Sequence, residues 1–214
     1  MPGAPNRPPD PAPEPRATPP AAEPPERKVL RRLAPCRVAL LLEAWKGAPS
    51  AEVIAPFEKA EAAYAAGDYA NALSALDLLS IRFAEPRWPT LPEPFRSLRV
   101  PIPAPTPPHW DPEHGLAPAD KEARRARRAA DEQLALARAS VEWLGTHGVD
   151  LADLAPRVAE ARTLLETEGA GGPFFERIDA VWDAVRSRAP RPRVAAARAP
   201  PAAAAAASPT AGEV

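Results

Sequence analysis

The chain has little of the material from which catalytic and metal sites are commonly built. Its 214 residues include one cysteine, Cys36, and three histidines. A single cysteine excludes an internal disulfide and a zinc site made of several cysteines. Because Cys36 lies among Leu33, Val38 and Leu40, we expect its thiol to be buried and unreactive.

Long apolar stretches are missing as well. No run approaches the ~20 apolar residues that span a bilayer, and the N-terminus lacks the basic and then apolar layout of a secretion signal. The formal net charge is −1, which does not favour a nucleic acid or a membrane surface as the general partner. We therefore expect a cytoplasmic protein that does not bind membranes.

Large apolar side chains are scarce. Leucine, isoleucine, valine and phenylalanine account for 39 of the 214 residues, a low share for a packed domain. Most of them fall between Val29 and Arg188. A core is feasible there, but we expect it to be lean and rich in alanine.

Proline, in contrast, is abundant, and its distribution divides the chain. Of 32 prolines, 11 fall in residues 1–27, another 11 in 86–118 and five in 190–214. Because proline fixes φ and lacks a backbone donor, these regions cannot be regular helix or central strand. We expect helical units at 28–85 and 119–188, a Pro-rich strap at 86–118, and disordered tails at 1–27 and 189–214.

The strap has more large apolar residues than a disordered linker usually carries. We expect it to be extended and to lie against the helices with these side chains buried. They are Trp88, Leu91, Phe95, Leu98, Val100, Ile102 and Trp110.

Apolar residues at three- and four-residue spacings predict an all-α fold, a small bundle of five or six helices arranged as αα-hairpins. The predicted helices cover 29–46, with a break at Pro35 left open, and then 51–66, 68–84, 119–145, 151–168 capped by Asp150, and a last helix from Pro173. The fourth helix has the longest apolar stripe: Ala123, Ala126, Ala130, Leu134, Ala137, Val141 and Leu144.

The two helical units have related sequences. LLLEAWKG followed by SAEVIAP compares with ASVEWLG followed by DLADLAP about 100 residues later. A duplicated three-helix unit, 36–85 and 134–188, is one interpretation. Chance similarity between two alanine-rich segments is the other.

Residues 61–76, EAAYAAGDYANALSAL, predict a tight turn between two helices. Gly67 can adopt the left-handed backbone that ends one helix, and Asp68 can cap the next. The segment resembles a tetratricopeptide repeat, a helix–turn–helix unit of about 34 residues. The residues that carry the resemblance are Tyr64, Gly67, Asp68, Tyr69, Ala72 and Leu73.

The resemblance covers one degenerate repeat, about residues 51–84, and departs from the family at Pro56 and Leu79. A solenoid needs about three stacked repeats, so a standard array is excluded. Such hairpins commonly present a surface to a peptide, and the resemblance therefore implies a noncatalytic protein–protein interaction or scaffold protein. The concave side of hairpin 51–84 is the first-choice surface, and the partner is a protein or peptide.

Two further clusters carry weaker predictions. His109, Asp111, Glu113 and His114 offer metal ligands within six residues, although a solvated loop explains them better. Arg124, Arg125, Arg127 and Arg128, together with the basic C-terminal tail, support the alternative of a nucleic-acid-associated accessory protein or an acidic partner. Acidic residues flank this cluster, so a solvated helix face explains it better.

Nothing in the sequence supports catalysis. It contains no phosphate-binding loop, nucleophile elbow or zincin helix, and no pair of carboxylates in an apolar setting. We expect no enzyme activity and no cofactor, and the sequence leaves the oligomeric state open.

Overall fold

The structure is a computed structural model that describes residues 23–46, 51–84, 91–98 and 115–192. These ranges contain six α-helices and a 3₁₀-helix, Phe95–Leu98, and no strand, so the predicted all-α bundle is confirmed. The α-helices are α1, Pro25–Lys46; α2, Ala51–Ala65; α3, Tyr69–Ala84; α4, Pro118–Thr146; α5, Leu154–Thr167; and α6, Gly172–Arg188.

The first helix is longer than the sequence predicts. It begins at Pro25, inside the predicted disordered tail 1–27, and passes through Pro35 without a break. A proline at a helix start costs no hydrogen bond, because the first amides of a helix have no partner inside it. The carbonyl of Pro24 accepts from the amides of Arg27 and Lys28. Residues 1–22 lie outside the described part.

Helix α1 lies at the centre of the bundle. It contacts α2, α3, α4, α6 and the 3₁₀-helix, and every residue from Leu33 to Leu40 is buried. The sequence predicts one apolar face, with Val38, Leu41 and Leu42 on it. A helix buried on all sides instead needs apolar or paired side chains around its whole circumference.

The fifth helix begins at Leu154 rather than at 151. The carboxylate of Asp150 accepts from the amide of Ala152 at 3.4 Å, and the Leu154 amide donates to the carbonyl of Leu151 at 2.9 Å. Asp150 therefore closes a turn before the helix and does not cap it. Leu151 is still buried.

In α4 the predicted stripe is only partly buried. Ala130, Ala137, Val141 and Leu144 are in the core, whereas Ala123 is exposed. Leu136, which the stripe omits, is fully buried. The stripe follows the side that α4 turns toward α5, while the bundle centre lies to one side of it.

Part of the Pro-rich strap is described, and it packs on the core. Leu91 and Phe95 are buried, and the 3₁₀-helix contacts α1. This stretch is a turn and a short helix rather than the extended chain that we expected, because the carbonyl of Pro94 accepts from the Ser97 amide at 3.1 Å. The remaining apolar residues of the strap, Trp88, Val100, Ile102 and Trp110, lie outside the described residues.

The two predicted helical units share one hydrophobic core in the described ranges. The predicted tail 189–214 also begins later than expected, since Ala189 and Pro192 are buried. Residues 193–214 lie outside the described part. Whether the units arose by duplication stays a prediction.

The turn between α2 and α3 has a defined geometry. Gly67 has φ +74°, and the carboxylate of Asp68 accepts from the backbone amide of Asn71 at 3.1 Å and from its side chain at 2.6 Å. These hydrogen bonds lower the pKa of Asp68. Tyr64 and Tyr69 meet edge to face across the turn, with ring centroids 5.9 Å apart.

Replacing Gly67 by alanine tests this turn. A Cβ strains a left-handed backbone, so we expect Gly67→Ala to lower the free energy of unfolding by about 1 kcal/mol. Gly172 begins α6 without positive φ and with open space around it, and Gly172→Ala should be neutral or slightly stabilising. Urea unfolding of both variants measures the difference, and equal effects would contradict the turn.

Two arginines, the partly buried Arg31 and the buried Arg37, join α1 to its neighbours. Arg31 holds the buried carboxylate of Asp179 on α6 through two hydrogen bonds of 2.6 and 2.8 Å. Arg37, 5 % exposed, donates to the carbonyls of Arg186 and Ala189 at the end of α6 and to Glu61 on α2. Burial, and next the charges of Arg186 and Arg191, lowers the pKa of Arg37 to about 10.

Replacing Arg31 removes both hydrogen bonds to the buried carboxylate of Asp179 and leaves only the Nε of Arg27, 4.0 Å away, beside it. We expect Arg31→Met to lower the free energy of unfolding by about 3 kcal/mol. The double variant Arg31→Met/Asp179→Leu replaces the pair by apolar side chains and should lose less than the single variant. Chemical denaturation of the three proteins decides this, and a double variant as unstable as the single one would show that the pair itself is stabilising.

Candidate interaction surface

An open groove runs between the outer faces of α4 and α5. Its volume is about 1160 Å³. The apolar residues that line it include Leu134 and Val141 on α4, Leu151 in the connecting loop and Val158 on α5. Val141, Leu151 and Val158 are buried within the chain itself, so Leu134 and Val149 are the larger apolar side chains of the groove that remain partly accessible.

Several residues on both sides of the groove have small side chains. Ala135 and Gly145 line it from α4, and Ala155 and Ala159 line it from α5. Where side chains are this small, the backbone of an incoming helix can approach closely, because interaxial distance depends on the side chains at the contact. The α4 wall extends from Asp131 to Thr146, about 22 Å at the rise of an α-helix.

The rim of the groove is charged, and part of that charge is not neutralised. Arg162 on α5 pairs with Glu166 at 2.8 Å, and Asp131 on α4 pairs with Arg127 at 3.2 Å. Arg138 and Glu142 are both exposed and line the groove. Neither forms an ion pair within the described ranges, although their i,i+4 spacing on α4 would permit one.

The predicted arginine cluster stands at one end of this surface. Arg124, Arg125 and Arg128 are exposed on the first half of α4. Arg127 has a structural role, because it pairs with Asp131 and donates to the carbonyl of Leu165 near the end of α5 at 2.9 Å. The cluster therefore does not act as four equivalent cations.

The hairpin of α2 and α3 was the first-choice surface from the sequence. Leu73 is half-buried against the core, and so are both tyrosines, which limits their access to a partner. The guanidinium of Arg186 lies 4.6 Å from the ring centroid of Tyr64. On α3, Leu78 and Ile81 are large apolar side chains left exposed.

The other site predicted from the sequence is a possible metal site, and the structure does not test it. His109, Asp111, Glu113 and His114, the weak metal candidates, lie outside the described residues. Within the described ranges no group of histidine, cysteine, aspartate and glutamate side chains has the arrangement of a metal site. In those ranges no helix is both long enough and apolar enough to traverse a bilayer.

Sequence reasoning missed the groove. Its floor residues Leu134 and Val141 belong to the predicted α4 stripe, which we assigned to the core. The sequence did contain a clue. Small and charged residues recur on α4 at spacings of 4, 3, 4 and 3, which is the pattern of a second helix face; they are Asp131, Ala135, Arg138, Glu142 and Gly145. A stripe of small residues with charges beside it is typical of a face that another helix can approach.

The chain matches no family model, and no curated protein or solved structure is significantly similar to it. The tetratricopeptide resemblance of residues 51–84 therefore stays a prediction.

Cys36 is buried, and burial raises the pKa of its thiol to about 12, with the nearby Arg32 opposing the shift. The folded protein keeps this proton while the unfolded chain loses it above about pH 9. The associated stability is full below that pH and is lost as the pH rises toward 12. This thiol is a packing group and not a nucleophile at neutral pH.

A comparison of the wild type with Cys36→Ala tests the linkage. Between about pH 8 and about pH 10 the free energy of unfolding of the wild type should fall by roughly 1 kcal/mol more than that of the variant. Urea unfolding at the two pH values measures this difference. A fast reaction of the native thiol with a soluble disulfide reagent near pH 8 would contradict the burial argument.

Proposed function

We propose that the protein is a noncatalytic protein–protein interaction or scaffold protein, and that it receives an amphipathic helix in the groove between α4 and α5. The observation that carries the proposal is the groove itself: about 1160 Å³, with an apolar floor, small walls and a charged rim. Amphipathic helices dock into grooves of this kind through apolar side chains spaced at i, i+3, i+4 and i+7.

The length of the groove suits a short helix. About 22 Å of α4 wall corresponds to four turns at 5.4 Å per turn. Leu134 and Val141 stand seven residues apart on that wall, a spacing that returns to the same face of a helix. A bound helix of similar length would cover both.

The rim charges define which helix fits. Arg124, Arg128 and Arg138 make the first part of the α4 face basic, while Glu142 and Asp150 make the far end acidic. A complementary helix therefore carries an acidic residue beside Arg138 and a basic residue beside Glu142. Such complementarity sets orientation and register more than raw affinity.

The two expectations from the sequence are weaker supports. The tetratricopeptide-like hairpin would offer a second surface on the same class of protein, and it is part of the proposal only through the resemblance. The nucleic-acid alternative is weaker, because Arg127 of the arginine cluster already contacts Asp131 and the carbonyl of Leu165 at the end of α5. We therefore prefer a helix as the ligand.

A displayed library of 16-residue helical peptides tests the proposal. The peptides have a fixed Leu/Ala apolar face, and each rim position is randomised between glutamate and lysine. We expect the protein to enrich peptides with glutamate and lysine four residues apart in one order. Ala135→Trp and Ala159→Trp replace exposed small residues of the groove and should lower this binding about tenfold or more.

Ala62→Trp is the matched control, since Ala62 is exposed on α2, away from the groove. It should retain wild-type binding. Circular dichroism of each variant checks that the bundle is intact. Peptides retained equally by the wild type and by both groove variants would refute the proposal, and so would a library without enrichment.

A further inference from the structure

We propose that the helix that occupies the groove is α4 of a second copy of this chain, packed antiparallel around a two-fold axis. The axis crosses α4 at the level of Ser140, on the exposed face that carries Arg138 and Glu142, whereas the side chain of Ser140 itself points into the core. The inference rests on the proposed function, since it names the partner of the same groove. In a symmetric dimer of this type each α4 lies between α4 and α5 of the other copy. The four helices then form an antiparallel arrangement like that of many bundles.

The order of the charges along α4 favours a second copy of the chain as the partner in the groove. Arg138 and Glu142 flank Ser140 at equal distances along the helix, both are exposed, and neither is paired within the described ranges. When two copies of α4 run antiparallel about Ser140, Arg138 faces Glu142 of the partner subunit. Glu142 faces Arg138 of the partner subunit in turn, so one register closes two equivalent ion pairs.

The same register brings the small residues together. Ala135 and Gly145 are also equidistant from Ser140, so Ala135 faces Gly145 of the partner subunit on each side of the axis. Gly145 has open space where a Cβ would stand. Small side chains on both helices allow them to approach closely enough to cover the half-buried Leu134.

A parallel arrangement does not fit. It would place Arg138 against Arg138 of the partner subunit and Glu142 against Glu142 of the partner subunit, and like charges at facing positions oppose association. The residues of α4 therefore specify the axis: the charges fix the direction of the partner helix, and the small residues fit the same register. Because the groove is short and lined largely by small side chains, we expect a dimer that dissociates on dilution and at high salt.

Charge reversal tests the proposal on the full-length protein. Sedimentation velocity over a micromolar to millimolar concentration series should show a monomer–dimer equilibrium for the wild type. Arg138→Glu and Glu142→Arg each place like charges at two symmetric positions and should raise the dissociation constant about tenfold or more. The double variant Arg138→Glu/Glu142→Arg restores opposite charges and should return the constant to within about threefold of the wild type.

Arg177→Glu is the control, because Arg177 is exposed on α6 and pairs with Glu160, outside the groove lining. It carries the same change in charge and should leave the dimer intact. Circular dichroism of each variant verifies folding.

A protein that stays monomeric throughout the series would overturn the dimer. So would a dimer unaffected by the single reversals, or one that the double variant fails to restore. Peptide binding in the display experiment reports separately: a monomer that still enriches groove-dependent peptides retains the proposed function and loses only the second copy as partner.

Discussion

The bundle depends on the enclosure of α1, which carries arginines into a region that water reaches poorly. Burying a guanidinium costs several kcal/mol unless hydrogen bonds and an opposite charge compensate for it. Arg37 finds that compensation in two carbonyls at the end of α6 and in Glu61 of α2, and Arg31 finds it in Asp179. Since these partners lie on α6, at its end and on α2, the contacts fix how α1, α2 and α6 sit relative to one another. An alanine-rich apolar core alone would specify that arrangement poorly.

Much of this organisation follows from local rules. Apolar spacing predicted all six helices, with α2, α3 and α4 within about two residues of their ends, because periodic burial is a property of each segment by itself. The Gly67–Asp68 turn was predictable for the same reason, since a left-handed glycine and a capping carboxylate act within four residues. The two wrong helix starts are also local in origin. At Asp150 the same residues could form a helix cap or a turn, and they form the turn. At Pro25 the sequence could be a helix start or part of a proline-rich tail, and it is the helix start.

The enclosure of α1 and the groove could not be predicted in this way. Whether Leu136 or Ala123 is buried depends on which side of α4 faces the bundle centre, and that side is set by the packing of α4 against α1, α5 and α6, whose residues are mostly distant in sequence. The alanine-rich composition adds to the difficulty. Alanine is equally compatible with a core face and with an exposed wall, so Ala137 and Ala135 carry the same pattern although one is buried and the other lines the groove.

The same scarcity of large apolar side chains gives the groove its character. A surface lined by leucines would bind many apolar partners with little regard for register, because the hydrophobic effect is not directional. In this groove six of the seventeen lining residues are alanine or glycine, and such small residues gain less from each contact. In the proposed complex, the unpaired charges of Arg138 and Glu142 would therefore select the helix and its direction. The affinity of that complex is then expected to depend on ionic strength more than on the apolar area that the helix covers.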